Sequence, residues 1–302
     1  MAYKVSVCMT TYNQEKYIVD AIESVVTQRT TFPVQLVIGE DCSTDNTADI
    51  CKHYASLYPN ISLVCRRKNI GLAKNFALSW LRCKGKYIAI LEGDDVWCSK
   101  SKLETQVAFM ESHPEYPMCF TRTEVMDKNK QFPHREGNYS SLGITDIIRH
   151  NLMANCSVLY RRGIVPEIPY WMMSLPYCDL ALHCLHLQHG SAAYIPETTA
   201  LLRLHSNNSF EQQGLMERVR VSTEVYQALS ENLPSPYAEQ AKQTLLLMYQ
   251  GLALWDFCSL RPKKALQDLK AWATLARSTP LIYLVKLPLI WVEELRHLWR
   301  AR

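Results

Sequence analysis

The chain has 302 residues, enough for one large α/β domain with an appendage or for two modest domains. Apolar residues make up 48% and charged residues 21%, a globular mix that excludes a disordered chain. A net charge of only +4 carries no electrostatic footprint for nucleic acid.

Tyr3 to Met9 is a short apolar run rich in β-branched residues and reads as a buried first strand. Lys16 to Gln28 then places Tyr17, Ala21, Ile22, Val25 and Val26 at helical spacing. Val34 to Gly39 is a second strand, followed by the cap-forming residues Ser43, Thr44 and Asp45 and a helix to about Tyr58. Ile61 to Cys65, Leu72 to Leu81, Tyr87 to Leu91 and Leu103 to Ser112 continue the alternation of strand and helix. Met118 to Val125, Ser157 to Arg161 and Ala192 to Ile195 read as strands, and Asp179 to Gln188 as a helix. From about Glu211 onward the pattern is helical, notably Ala238 to Phe257 and Lys263 to Ala276. Strands alternating with helices predict an α/β fold: a mostly parallel sheet with helices on both faces, then a helical C-terminal appendage. Ligands of such sheets bind beyond the carboxyl ends of the strands.

The eleven cysteines include no Cys-x-x-Cys pair, and several sit in strand-like or helix-like apolar runs. Reduced thiols in a cytosolic protein are the simpler reading, with no structural zinc. The first strand starts too early for a signal peptide to precede it.

The strongest chemical signal is the turn after the fourth strand, where Glu92, Asp94 and Asp95 follow Tyr-Ile-Ala-Ile-Leu directly. Three acids in four positions repel one another unless a cation or donor groups offset them, and carboxylate oxygens suit Mg2+ or Mn2+. A solvated acidic turn is the plain alternative. Asp41 stands at the carboxyl end of the second strand, where an acid can accept a hydrogen bond from a base N–H or a ribose hydroxyl. Ser43 and Asp45 beside it read as plain helix caps. His183, His186 and His189 are spaced by threes on one helix with no carboxylate at ligand spacing, and read as ordinary helix histidines. Arg66-Arg67-Lys68 reads as a solvated turn.

Together these pieces resemble the inverting family-2 glycosyltransferases of the GT-A fold, a Rossmann-like architecture. The resemblance runs through Val5-Ser-Val-Cys-Met-Thr-Thr-Tyr-Asn13, Glu40-Asp-Cys-Ser-Thr-Asp-Asn-Thr47, Asn69-Ile-Gly-Leu-Ala-Lys-Asn75 and Glu92-Gly-Asp-Asp-Val-Trp97. It covers about the first 210 residues and implies a catalytic domain over 1–210 with a helical region over 211–302. It also implies roles. Thr10 and Tyr12 would line the nucleotide pocket, and Asp41 would hold the base. Asn69, Gly71 and Asn75 would contact the donor or shape that wall. Asp94 would lie toward the ribose or sugar and Asp95 on the metal. The second half looks like a bacterial surface-polysaccharide subset. There Asp179 would be the general base and His205 would reach the metal or the diphosphate, while Arg203 and Ser209 would help hold phosphate oxygens. The Asn155 segment would line the acceptor side.

The expected activity is therefore metal-dependent, inverting transfer from a nucleotide sugar, UDP-linked by the resemblance. The expected cofactor is Mn2+ or Mg2+, and the acceptor is a surface-polysaccharide or lipid-linked glycan, such as a lipopolysaccharide or capsule glycan. Two alternatives stay open. A nucleotidyltransferase would want a Gly-rich basic loop after the first strand, and Thr10 to Tyr17 has no Gly and only Lys16. A non-catalytic nucleotide- or glycan-binding module would lack a metal or base acid. Departures from the family pattern are Glu40 for Asp, Cys42 for Gly, Ser99-Lys100 for Asp-Pro, and Cys178 before the base.

Residues 261–302 carry nine Lys and Arg against three acids, and Leu281 to Trp299 is rich in Leu, Ile and Trp. The stretch Leu281 to Val292 is broken by Lys286 and Pro288 and falls short of the roughly 20 residues that span a bilayer. Two readings of 281–302 stand side by side: packing against the catalytic domain or a second subunit of a homo-oligomer, or a monotopic contact with an anionic membrane. The expected location is the cytoplasm, with the second reading placing the chain on the inner face of the cytoplasmic membrane.

Overall fold

A computed structural model describes residues 2–127, 130–133, 139–205 and 214–277, with backbone alone for 130–133. Ser209 and the 281–302 segment lie outside the described residues. The chain divides into two compact units, Met1–Asn208 and Ser209–Arg302.

In the first unit, strands and helices alternate: β1 (Val5–Thr11), α1 (Ile18–Val26), β2 (Val34–Glu40), α2 (Thr47–Leu57), β3 (Ile61–Cys65), α3 (Leu72–Trp80), β4 (Tyr87–Ile90), the two-residue β5 (Val96–Trp97) and α4 (Lys102–Ser112). Then follow β6 (Met118–Asp127), β7 (Lys130–Pro133), β8 (Ser141–Leu142), α5 (Ile144–Arg149), β9 (Leu159–Arg161), α6 (Asp179–Leu187) and β10 (Ala192–Leu204). The strand order is β3-β2-β1-β4-β9-β6-β10-β5, with β7 beside β6 and β8 beside β10. Strands β3, β2, β1 and β4 run parallel, and so do β6 and β10; β9 is antiparallel to both its neighbours. This is the expected mostly parallel sheet.

Alternation along the strands explains the layers. Val5, Val7 and Met9 of β1, Leu36 and Ile38 of β2, and Tyr87 and Ala89 of β4 share one buried cluster with Ile18, Ala21, Ile22 and Val25 of α1 and Leu103, Val107 and Met110 of α4. The opposite face meets α3. Gly39 is required there, because a Cβ would stand 2.1 Å from Ser79 Oγ and 2.7 Å from Asn75 Oδ1.

Two expectations need correction. Helix α2 begins at Thr47, not at the Ser43–Asp45 cluster. Asp45 still serves it by accepting the Thr47 N–H at 2.9 Å, whereas Ser43 Oγ accepts the Asn13 N–H at 3.0 Å and so ties two loops together. Strand β10 runs nine residues past Ile195. Its register shifts between Ile195 and Thr198, and again between Thr198 and Ala200, absorb Pro196 as bulges.

The second unit contains α7 (Leu215–Asn232), α8 (Tyr237–Cys258) and α9 (Pro262–Arg277). Arg220 of α7 bridges Asp256 of α8 and Asp268 of α9, the latter at 3.0 Å, and both acids are buried. Among the described residues no helix is long and apolar enough to cross a membrane. All eleven cysteines are free. His183 and His186 belong to the core: Tyr160 Oη lies 2.7 Å from His183 Nδ1, the Leu182 carbonyl lies 2.9 Å from His186 Nδ1, and burial pushes both imidazoles down to about 3.

Candidate active site

The carboxyl ends of β1, β2 and β4 converge, as the topology requires. The loop after β1 turns at Asn13, whose φ of 53° is one that Asn tolerates. It is laced to the loop after β2: Thr44 N–H donates to Asn13 Oδ1 at 2.8 Å, Gln14 N–H to Thr47 Oγ1 at 2.8 Å, and Glu15 N–H to Asp45 Oδ2 at 3.1 Å. Thr10 is buried at the end of β1, and its carbonyl accepts the Gly93 N–H at 3.0 Å, which links this strand to the acidic turn. Tyr12 stands two residues on, with its ring open to solvent.

Asp41 is almost wholly buried, and its carboxylate is spent on backbone. Oδ1 accepts the Ile70 N–H and Oδ2 the Gly71 N–H, each at 2.9 Å. Gly71 adopts φ 86°, a conformation that favours glycine, and Asn69 Oδ1 lies 3.1 Å from the Gly71 N–H that it accepts. Asp41 therefore pins the loop before α3. Glu40, buried beside it, accepts the N–H groups of Cys42 (3.2 Å) and Ser43 (2.7 Å). These bonds hold Cys42 at φ 62°, where a side chain is strained, and account for a non-glycine residue in that turn.

Asn75 lies behind this wall. Its Nδ2 donates to the Gly39 carbonyl at 2.7 Å and its Oδ1 accepts Arg66 Nε at 2.9 Å. Its amide is thus committed to bracing β2 against α3. Arg66 is correspondingly half-buried, whereas Arg67 and Lys68 are exposed as a solvated turn requires.

The turn after β4 gathers the acids. Gly93 is forced there, since a Cβ would meet Gln14 Oε1 at 2.5 Å and Thr11 Oγ1 at 2.8 Å. Asp95 is 3% exposed, and its Oδ1 accepts the Arg203 N–H at 3.0 Å. Burial first, then repulsion from Asp94 and Glu92, pushes its carboxyl well above the usual range. Asp94 Oδ2 lies 3.1 Å from His205 Nε2, and the His205 ring stacks on Tyr17 at a 4.1 Å centroid separation. Arg203 extends to Asp20 of α1 at 2.6 Å, and its guanidinium lies 5.7 Å from the Tyr17 ring centroid. Both Arg203 and His205 arrive because β10 pairs with β5 directly after the acidic turn.

Glu92 faces the second half of the chain. Asn155 Nδ2 donates to its Oε1 at 2.5 Å, while Oε2 is sealed from solvent without a hydrogen-bond partner among the described residues. Burial, together with the charges of Asp94 and Asp179, pushes the Glu92 carboxyl up to about 7 against the restraint of the Asn155 bond. Asp179 opens α6, and its Oδ2 accepts Asn151 Nδ2 at 3.0 Å. Its charge adds to the upward push on Glu92. Residues 155–157 form a 3-10 turn that clasps this turn: Asn155 holds Glu92, and the Cys156 carbonyl accepts Trp97 Nε1 at 2.8 Å.

Tyr17, Asp20, Asn151 and Cys156 carry no sequence spacing that marks them; they enter the site only through folding. A cleft of about 370 Å3 lies between Gly71, Leu72 and Lys74 on one wall and Met173 to Pro176, just ahead of Asp179, on the other.

Among the described residues no three His, Cys, Asp or Glu side chains form a metal cage by themselves. Asp94 Oδ2 and His205 Nε2, 3.1 Å apart, pair an oxygen with a nitrogen donor beside Asp95. Such a set fits a hard divalent cation that also takes phosphate oxygens, and the mutual repulsion at Asp95 is what such a cation relieves.

Residues 6–166 match the family model described as glycosyl transferase family 2. The chain is 41% identical over 212 residues to TuaG of Bacillus subtilis strain 168, named as a teichuronic acid biosynthesis glycosyltransferase; the match covers 68% of this chain and 80% of TuaG. It is 36% identical over 208 residues to Rv1520 of Mycobacterium tuberculosis, covering 67% of this chain but 59% of that longer relative. In fold it is similar to TarS of S. aureus in complex with UDP-GlcNAc, at a TM-score of 0.66 and 18% identity over 90% of this chain and 79% of that one. It is also similar to the mannosyltransferase PcManGT of Pyrobaculum calidifontis in complex with GDP-Man and Mn2+, at a TM-score of 0.60 and 15% identity over 100% of this chain and 83% of that one. On the family match and the TuaG relation together, the chain belongs to glycosyl transferase family 2.

Proposed function

We propose that the protein is a metal-dependent inverting glycosyltransferase that moves a sugar from a nucleotide diphosphate sugar, UDP-linked, to a hydroxyl of a surface-polysaccharide or lipid-linked glycan. The observation that carries this reading is the acidic turn after β4, where Glu92, Asp94 and Asp95 crowd together and His205 Nε2 stands 3.1 Å from Asp94 Oδ2, an arrangement that suits a cation and a diphosphate. Family membership favours glycosyl over nucleotidyl transfer. The ligands named for TarS and PcManGT, UDP-GlcNAc and GDP-Man with Mn2+, support a nucleotide-sugar donor and a cation here.

In this reading the loop pinned by Asp41 receives the base, with Thr10 and Tyr12 on its border and Gly71 and Asn69 shaping the near wall. Asp94 faces the ribose or sugar; Asp95 and His205 would hold Mn2+ or Mg2+. When bound, the cation offsets the charge of the departing diphosphate. The acceptor hydroxyl attacks the anomeric carbon from the face opposite the nucleotide. The new C–O bond forms as the bond to the diphosphate oxygen breaks, the electron pair leaves with the nucleoside diphosphate, and the hydroxyl proton passes to the Asp179 carboxylate. One displacement inverts the anomeric centre without a covalent enzyme intermediate. Tyr17 stacks on His205, which keeps that imidazole against Asp94, while the Arg203 guanidinium lies beside the Tyr17 ring and pairs with Asp20.

Transfer from a panel of nucleotide sugars to a glycan acceptor, with the product's anomeric configuration read by NMR, tests this. Inversion, with kcat reduced about 10²–10⁴-fold in Asp179→Asn while donor affinity holds, is the expected result. Retention, or full turnover of Asp179→Asn, would contradict it. The same reading places the enzyme where lipid-linked acceptors are found, on the inner face of the cytoplasmic membrane.

A further inference from the structure

We propose that the α8–α9 hairpin of the second unit is a contact surface for an anionic lipid bilayer. This deepens the membrane part of the reading above and moves it onto described residues.

At the end of α8, Leu254, Trp255, Phe257 and Cys258 are exposed, with Phe257 at 70%. At 100° per residue these four share one side of the helix, and Asp256 occupies the other. Leu260 in the turn is 89% exposed, and Leu266 and Leu269 of α9 are open as well. Large apolar side chains clustered this way on a water-facing surface mark a docking site.

Charge selects the occupant. Arg261, Lys263, Lys264 and Lys270 are all exposed among these apolar side chains. The two acids of the same stretch, Asp256 and Asp268, are buried; both pair with Arg220, and Arg261 Nη1 stands 3.8 Å from Asp256 as well. The outward face of residues 254–270 therefore presents cations and apolar groups with no exposed carboxylate. Two copies meeting through this face would set cation against cation, since residues 254–270 expose no carboxylate. An anionic bilayer matches both parts: Trp255, Phe257 and Leu260 enter the headgroup and acyl boundary while the cations stay at the phosphates. No helix here spans, so the contact is monotopic.

The test is flotation of the full chain, without nucleotide sugar, on vesicles of phosphatidylglycerol with phosphatidylcholine and on phosphatidylcholine alone. The expected result is binding to the anionic vesicles that falls with salt. It should weaken about tenfold or more in Lys263→Glu/Lys264→Glu, and at least as much in Trp255→Ser/Phe257→Ser/Leu260→Ser. Unchanged melting of these surface variants shows that they fold. Wild-type chain that ignores anionic vesicles overturns the proposal. So does a triple variant that binds them like wild type, which would move the contact elsewhere in the chain. Self-association of the wild type abolished by the triple variant, without vesicle binding, would make the face a subunit interface instead. None of these readouts involves transfer, so a failure here leaves the Asp179 experiment standing, and the reverse holds too.

Discussion

Two acidic regions at the sheet's carboxyl edge are built on opposite principles. Asp41 has both carboxylate oxygens committed to backbone N–H groups of the 69–71 loop, so its charge is already answered by the fold. The turn after β4 crowds Glu92, Asp94 and Asp95, with no Lys or Arg side chain among the hydrogen-bond donors to Asp95 and Glu92 in the described residues. One region is preorganised by its own chain; the other is held in place by a clasp of backbone and side-chain donors, yet remains electrostatically incomplete. A nucleotide pocket profits from the first arrangement, since a rigid wall costs no ordering on binding. A site for a cation and diphosphate profits from the second, since the ligand supplies the missing charge.

Removing Asp41 should break the first region most severely. Asp41→Ala leaves the Ile70 N–H without an acceptor and the Gly71 N–H with Asn69 Oδ1 alone, and should cost about 1–3 kcal/mol of stability, together with most nucleotide affinity. Chemical denaturation and nucleotide titration measure both. Asp41→Asn, which keeps one acceptor oxygen, should lie between; a neutral Asp41→Ala would mean that the loop is held by other contacts.

The pH dependence of stability sharpens the contrast from the other side. Glu92 has a folded value of about 7 against an ordinary 4.5, so the fold binds more protons than the unfolded chain between these values. Its contribution is complete below about 4.5 and is lost as pH rises toward 7, a change of about 1–3 kcal/mol. Glu92→Gln should flatten that slope relative to wild type in melts between pH 5 and 7.5. An identical slope in the variant would place the excess protons elsewhere.

Much of this contrast was written in the sequence. The alternation from Tyr3 to Ser112 forecasts β1 to β4 and α1 to α4 within a residue or two at most ends, because strands such as β1 and β4 are buried throughout; the two-residue β5 has no such pattern and is not forecast. The acidic turn was legible because three acids after a buried strand are costly without a purpose. The span of β10 was not: Pro196 and Glu197 interrupt its pattern, and only the bulges and the pairing with β6 and β5 carry it on to Arg203. The clasp by Asn155 and Cys156, and the Tyr17 stack on His205, join residues far apart in sequence, and no local spacing encodes them. Asn75 shows the reverse case. Its motif suggested the donor wall, and its amide is spent on Gly39 and Arg66 behind that wall.

The most direct test of the incomplete acidic turn is a thermal-shift measurement of the protein with UDP and UDP-sugars, with and without Mn2+. The account predicts a nucleotide shift that Mn2+ enlarges, by about 2–4 °C for each kcal/mol of linked binding, and that Asp95→Ala reduces to the metal-free value. A nucleotide shift indifferent to Mn2+, or one in which Asp95→Ala still responds to Mn2+ like wild type, would contradict it.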